Sequence, residues 1–137
     1  MEITFFGTLT MPTLKQKIPI IQGIGDKELK KGVGHFLESA LPGEEGNCVL
    51  LGHRDTVFSQ MGKLKIGDPL IVQTSAGIFI YEVSETRIVK KDDKTVIVPA
   101  DNAKLTMITC YPFYFIGDAP ECYIVFANLV KNKKAAS

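Results

Sequence analysis

Apolar residues recur along the chain in short runs with a period close to two, the spacing of strands with one covered face. Runs of β type are predicted over residues 3–9 and 17–21, interrupted by Pro12, and then over 48–52, 70–74, 78–83, 87–89, 95–98, 105–110 and 122–130. The run 48–52 is continuously apolar, which suits a buried strand. Ser75-Ala76-Gly77 divides two of the runs as a hairpin turn does. Pro42-Gly43, Gly67-Asp68-Pro69 and Gly117-Asp118-Ala119-Pro120 punctuate the rest. Helical signals are few: Asp26 is placed to cap a short helix through Lys31, and Thr56 another near residues 58–61. Short strands at regular spacing with one or two short helices predict a mainly β fold, a closed or nearly closed barrel.

Length and composition narrow the class without naming a function. The 137 residues suit one domain, 1–137, large enough to bury a core, and 45% hydrophobic content argues against disorder. A net charge of +1, with both signs interspersed, leaves no footprint for nucleic acid or an anionic membrane. The basic run Lys131-Asn132-Lys133-Lys134 reads as a solvated tail after the last strand. No stretch approaches the ~18 apolar residues of a membrane span, and the start lacks the pattern of a signal peptide. That leaves a cytosolic protein, or a soluble piece of something anchored upstream. Three cysteines are an odd number, without a C-x-x-C, and their spacing with His35 and His53 fits no zinc template.

Two strand ends carry reactive groups. His53 closes the apolar run 48–52, and Cys110 closes 105–110 just before Tyr111-Pro112. An imidazole beside a thiol raises the thiolate fraction and can later protonate a leaving amine. Spacing alone favours the plainer alternative, a structural histidine and an inert buried cysteine. Alternation sets Thr106, Ile108 and Cys110 on one face of their strand, and Leu105, Met107 and Thr109 on the other. Cys122 opens the final strand, with Ile124 and Phe126 on its face. His35, in Gly32-Val33-Gly34-His35-Phe36, reads as a core or turn hydrogen-bonding residue, and Asp92-Asp93 as a solvated turn.

The wording around these residues changes the weighting. Gly32-Val33-Gly34-His35, Leu41-Pro42-Gly43-Glu44-Glu45-Gly46-Asn47, Gly52-His53-Arg54-Asp55-Thr56-Val57-Phe58, Gly67-Asp68 and Thr106-Met107-Ile108-Thr109-Cys110-Tyr111-Pro112-Phe113 follow one another in that order. In this the chain resembles the sortases, cysteine transpeptidases of Gram-positive cell surfaces, and is most similar to class D, over residues 7–129. The resemblance implies an eight-stranded β-barrel with His53 and Cys110 on one groove. It also implies an N-terminal signal anchor, absent from this chain, and a place on the outer face of the cell membrane.

It further implies that Cys110 attacks the carbonyl after the Thr of a Leu-Pro-x-Thr-Gly/Ala sorting signal, near the C-terminus of a secreted protein. His53 then protonates the departing amine. An amine from a peptidoglycan precursor or a pilin lysine resolves the thioacyl enzyme, with no cofactor and no metal required. Calcium tunes some relatives, but no ligand cluster here compels it.

One position departs from the pattern. The family carries an arginine on the final strand, where this chain has Cys122. A guanidinium brings five N–H donors and a fixed charge, and a thiol one weak donor, so weakened activity is expected. Arg87 is the better candidate to substitute for it, since alternation turns Arg54 away from His53. A Cys110–Cys122 disulfide, which would block the nucleophile, needs Cα atoms within ~7 Å. Substrate contacts are expected from Thr109, from the Tyr111 N–H in an oxyanion hole, and from Ile88, Val96 and Val98 along one groove wall. Barrel packing is the plainer role for those three. The aromatic segment Phe113-Tyr114-Phe115 either lines the groove or lids the core. A non-catalytic signal-binding module and a cytosolic cysteine hydrolase remain as alternatives.

Overall fold

Eight strands close into a barrel in the computed structural model, which describes residues 4–25, 29, 32–52, 60–90, 100–111 and 121–134, with backbone alone at 110, 111 and 134. The strands are β1 (Phe5–Met11), β2 (Gln16–Gln22), β3 (Val33–His35), β4 (Gly46–Leu51), β5 (Pro69–Thr74), β6 (Gly77–Lys90), β7 (Ala103–Tyr111) and β8 (Glu121–Lys134). Short 3-10 turns occupy Pro12–Leu14 and Met61–Lys63. Around the barrel the order is β1-β2-β3-β4-β7-β8-β6-β5, and β5 pairs back onto β1. The pairs β2/β3 and β4/β7 are parallel, and the other six are antiparallel.

Alternation builds the core. Leu9 and Met11, Ile18 and Ile20, Cys48 and Leu50, Leu70 and Val72, Phe79, Tyr81 and Val83, Leu105 and Met107, and Val125 and Ala127 fill the interior from seven strands. Each large apolar side chain so buried contributes roughly 1.5–3 kcal/mol. Tyr81 is fully buried, and its hydroxyl is satisfied by the backbone N–H of Gly43 at 2.8 Å. Gly43 sits at φ 85° against Phe79, whose ring would lie 2.2 Å from any Cβ there. Only glycine meets both demands, so the Pro42-Gly43 turn closes over the core at that point.

His35 is buried in a polar socket. Its Nε2 lies 2.9 Å from the Ala40 carbonyl, its Nδ1 lies 2.9 Å from the Gln22 side-chain oxygen, and its ring stacks on Phe6. The expected hydrogen-bonding role holds, at the last residue of β3.

Other expectations need revision. The two runs at 78–83 and 87–89 are one strand, β6, interrupted by a bulge at Ser84. The basic run at the C-terminus is no tail. Lys131 to Lys134 continue β8 and pair with Ile80 to Gly77, because the unpaired start of β6 offers a ladder that any residue can complete. Its lysines pair by backbone, and Lys131 and Lys133 stay exposed. The expected helices at 26–31 and near 58–61 fall largely outside the described residues, of which Met61 begins a 3-10 turn. The expected strand at 95–98 lies outside them entirely.

Candidate active site

The bulge at Ser84 decides which side chains share a face. Before it, Val83 pairs with Ala127 and both are in the core; after it, Glu85 pairs with Phe126. One extra residue inverts the alternation, so Glu85, Arg87 and Val89 turn to the outer face. There the register lays out three rungs across β6, β8 and β7: Glu85–Phe126–Thr106, Arg87–Ile124–Ile108 and Val89–Cys122–Cys110. Val89, Cys122 and Ile124 form a second buried cluster, with Ile108 and Phe126 packed against it. The outer wall of the barrel thus carries an apolar floor that ends at the paired cysteines.

The charges on this face lie at its other end. The Arg87 guanidinium donates to Glu85 Oε2 from Nε at 2.9 Å and from Nη2 at 2.6 Å, and stacks 5.0 Å from the centroid of Phe126. The side chains of Arg87 and Glu85 are nearly half exposed. Arg87 therefore stands one rung from Cys122 and is held toward the rung farther away. At the same end Thr106 Oγ1 bonds Asn47 Oδ1 at 2.6 Å, tying β7 to β4.

Cys110 lies in β7 opposite Cys122. The N–H of Gly52 donates to the Ile108 carbonyl at 3.1 Å, so β4 delivers the chain beside β7 two residues before Cys110. His53 follows at once but lies outside the described residues, as do Arg54, Asp92, Asp93, Val96, Val98 and the segment 113–115. Thr109 faces the interior, 2% exposed, and its Oγ1 has no hydrogen-bond partner among the described residues. Ile88 falls on the rung Ile88–Tyr123–Thr109, the opposite face from Cys122, and is 48% exposed. Tyr111 closes β7 opposite Glu121. Cys48 is remote from all of these, buried in the core, where desolvation and then the charge of Glu44 push its thiol up to about 12.

Phe126 lies on the face of Cys122 as alternation predicts, but Glu85 and Val89 escape a reading of the sequence. Val83 and Val89 have the same parity, and unbroken alternation would put both inside and Ile88 outside. Only the backbone at Ser84 reverses this, and no local residue signature there announces a bulge. Among the described residues no group of three His, Cys, Asp or Glu is close enough to hold a metal ion.

The family model of the sortase domain matches residues 9–130. Sortase D of Bacillus subtilis is 43% identical over 125 residues, which cover 90% of this chain and 63% of that protein. The chain therefore spans less than two thirds of that relative's length. Among solved structures, a Clostridium perfringens sortase D5 transpeptidase superposes with a TM-score of 0.82 at 29% identity, over 93% of this chain and 79% of that one. Sortase E1 from Streptomyces coelicolor, solved with a tripeptide in its active site, superposes with a TM-score of 0.85 at 27% identity, over 96% and 91%.

Proposed function

The chain belongs to the sortase family, and from that premise we propose that it is a cysteine transpeptidase acting on a Leu-Pro-x-Thr-Gly/Ala sorting signal at the outer face of a Gram-positive cell membrane. Cys110 is the nucleophile. Its thiolate attacks the carbonyl after the signal's Thr, and the C–N bond breaks as His53 protonates the departing amine. The thioacyl enzyme is then resolved by an amine of a peptidoglycan precursor or a pilin lysine, which restores the thiol. The backbone N–H of Tyr111 stabilises the oxyanion. Val98 contributes to substrate binding.

The observation that carries this reading is the register. β7 carries Cys110 one residue before its end, on a rung with an apolar floor beside it, and β4 arrives alongside just before His53.

Cys122 weakens the enzyme in this proposal. The family's arginine is absent from the rung, and Arg87 is engaged by Glu85 on the side away from Cys110. Losing one oxyanion donor typically costs ~10²–10³ in rate. That same absence favours a second reading, a module that holds the signal without cutting it. The test is cleavage of a labelled Leu-Pro-Asn-Thr-Ala peptide, with hydroxylamine as acceptor. Cys122→Arg is expected to raise turnover by ~10²-fold or more, and Cys110→Ala and His53→Ala to abolish it. Peptide binding without turnover, in both the chain and Cys122→Arg, would establish the module instead.

A further inference from the structure

We propose that Cys110 and Cys122 close into a reversible disulfide that switches the groove off under oxidising conditions. The two residues stand directly opposite each other in the β7/β8 ladder. The kind of pair follows from the neighbouring strand. The Ile108 carbonyl accepts from Gly52 on β4, so the backbone polar groups of residues 108 and 110 turn toward β4 and those of Thr109 toward β8. Cys110 and Cys122 are thus a non-hydrogen-bonded pair, the closer of the two antiparallel kinds, with Cα atoms about 4.5 Å apart. Disulfides form across about 4.4–6.8 Å.

The alternatives are poorer. Cys48 pairs with Leu105, five residues back along β7, which sets it about 17 Å from Cys110 along the strand direction and on the interior face. Cys122 is 7% exposed, between Val89 and Ile124, which shields it from bulk reagents more than from a residue on its own rung. Opposite Cβ atoms in such pairs sit near 4.5 Å, the outer limit for a disulfide, so closure draws the two strands slightly together. A bond formed under that tension is easily reduced, which makes it a lock and not a staple.

The chemistry is thiol–disulfide exchange with a low-molecular-weight disulfide such as oxidised glutathione. One cysteine thiolate attacks it, forming a mixed disulfide and releasing one glutathione thiolate. The second cysteine then attacks the protein sulfur of that mixed disulfide and releases the other. Two protein thiols are oxidised, one glutathione disulfide is reduced to two thiols, and the two protons leave with them. The loss of activity rests on Cys110 being the nucleophile, as proposed above; the bond itself does not.

The experiment therefore reads bond and activity separately. The chain is equilibrated with oxidised glutathione, alkylated, digested and mapped by mass spectrometry. The expected result is a cross-linked peptide pair joining Cys110 to Cys122, with Cys48 still a thiol, and complete reversal by dithiothreitol. In Cys122→Ser, and again in Cys122→Ala, the cross-link is replaced by a glutathione adduct on Cys110. Peptide cleavage by the original chain falls to background on oxidation and returns on reduction. A glutathione adduct on Cys110 with Cys122 still alkylatable, or a link through Cys48 or between two chains, would overturn the proposal. A mapped Cys110–Cys122 bond in a chain that cleaves nothing when reduced, and whose Cys122→Arg variant also cleaves nothing, would instead sink the assignment of Cys110 as nucleophile, and leave the bond standing.

Discussion

Burial controls what each cysteine can do, and Cys48 shows the effect most clearly. It is 1% exposed in the barrel interior, and desolvation, followed by the Glu44 charge, moves its pKa from 9.0 to about 12. Below pH 9 the thiol keeps its proton in both folded and unfolded chains. Above it the unfolded thiol ionises and the folded one does not, so the unfolded state binds fewer protons and stability falls as pH rises from 9 toward 12. The slope from this group is at most about 1.4 kcal/mol per pH unit. Tyr81 is raised in the same direction by burial and adds to the loss at the upper end. Cys48→Ala is expected to be somewhat less stable at neutral pH but to lose stability less steeply between pH 9 and 11, as read from urea midpoints. An unchanged slope would mean that this thiol does not govern alkaline unfolding.

At the scale of the element, the bulge in β6 is the feature on which the face of the site depends. Ser84 makes one hydrogen bond of its own, from Oγ to the Phe126 carbonyl at 3.2 Å, at an exposed position. Ser84→Ala removes that bond and keeps the residue count, so the expected cost is within about 0.5 kcal/mol. Deleting Ser84 forces either the segment holding Tyr81 or that holding Val89 to present the wrong face. The expected cost is above about 3 kcal/mol, or failure to fold, measured by thermal melts of the two variants side by side. The same contrast explains what could be read from the chain. The strands β1, β2, β4, β5, β7 and β8 were legible because a barrel with one covered face writes its interior as alternation, and the placement of Cys110 and Cys122 at strand ends came with them. β3 was missed because three residues hold too few positions to show a period. The lysines after Val130 were misjudged because their pairing is made by the backbone, to which composition is silent. The partners of Cys122 on β6 were missed because a bulge is a property of pairing between strands, and a linear pattern contains only one of them.

Across the whole molecule, the contacts that close the barrel are distant in the chain. β4 meets β7 with Gly46 opposite Ala103, and β1 meets β5 with Leu9 opposite Val72. Non-local pairing of this kind, two of its ladders parallel, requires loop closure before any ladder is rewarded. Refolding from denaturant is expected on the order of milliseconds to seconds, followed by tyrosine fluorescence or circular dichroism since the chain has no tryptophan. A sub-millisecond phase carrying the full amplitude would contradict this. The long strand β6 also gives the molecule two unlike poles. At one, Val89 borders Cys122; at the other, twelve residues away and about 40 Å along the strand, Gly77 borders Lys134 beside the Ser75-Ala76 turn. A surface tether, fluorophore or grafted peptide attached at that second pole would sit about 40 Å along β6 from the paired cysteines and leave their rung untouched.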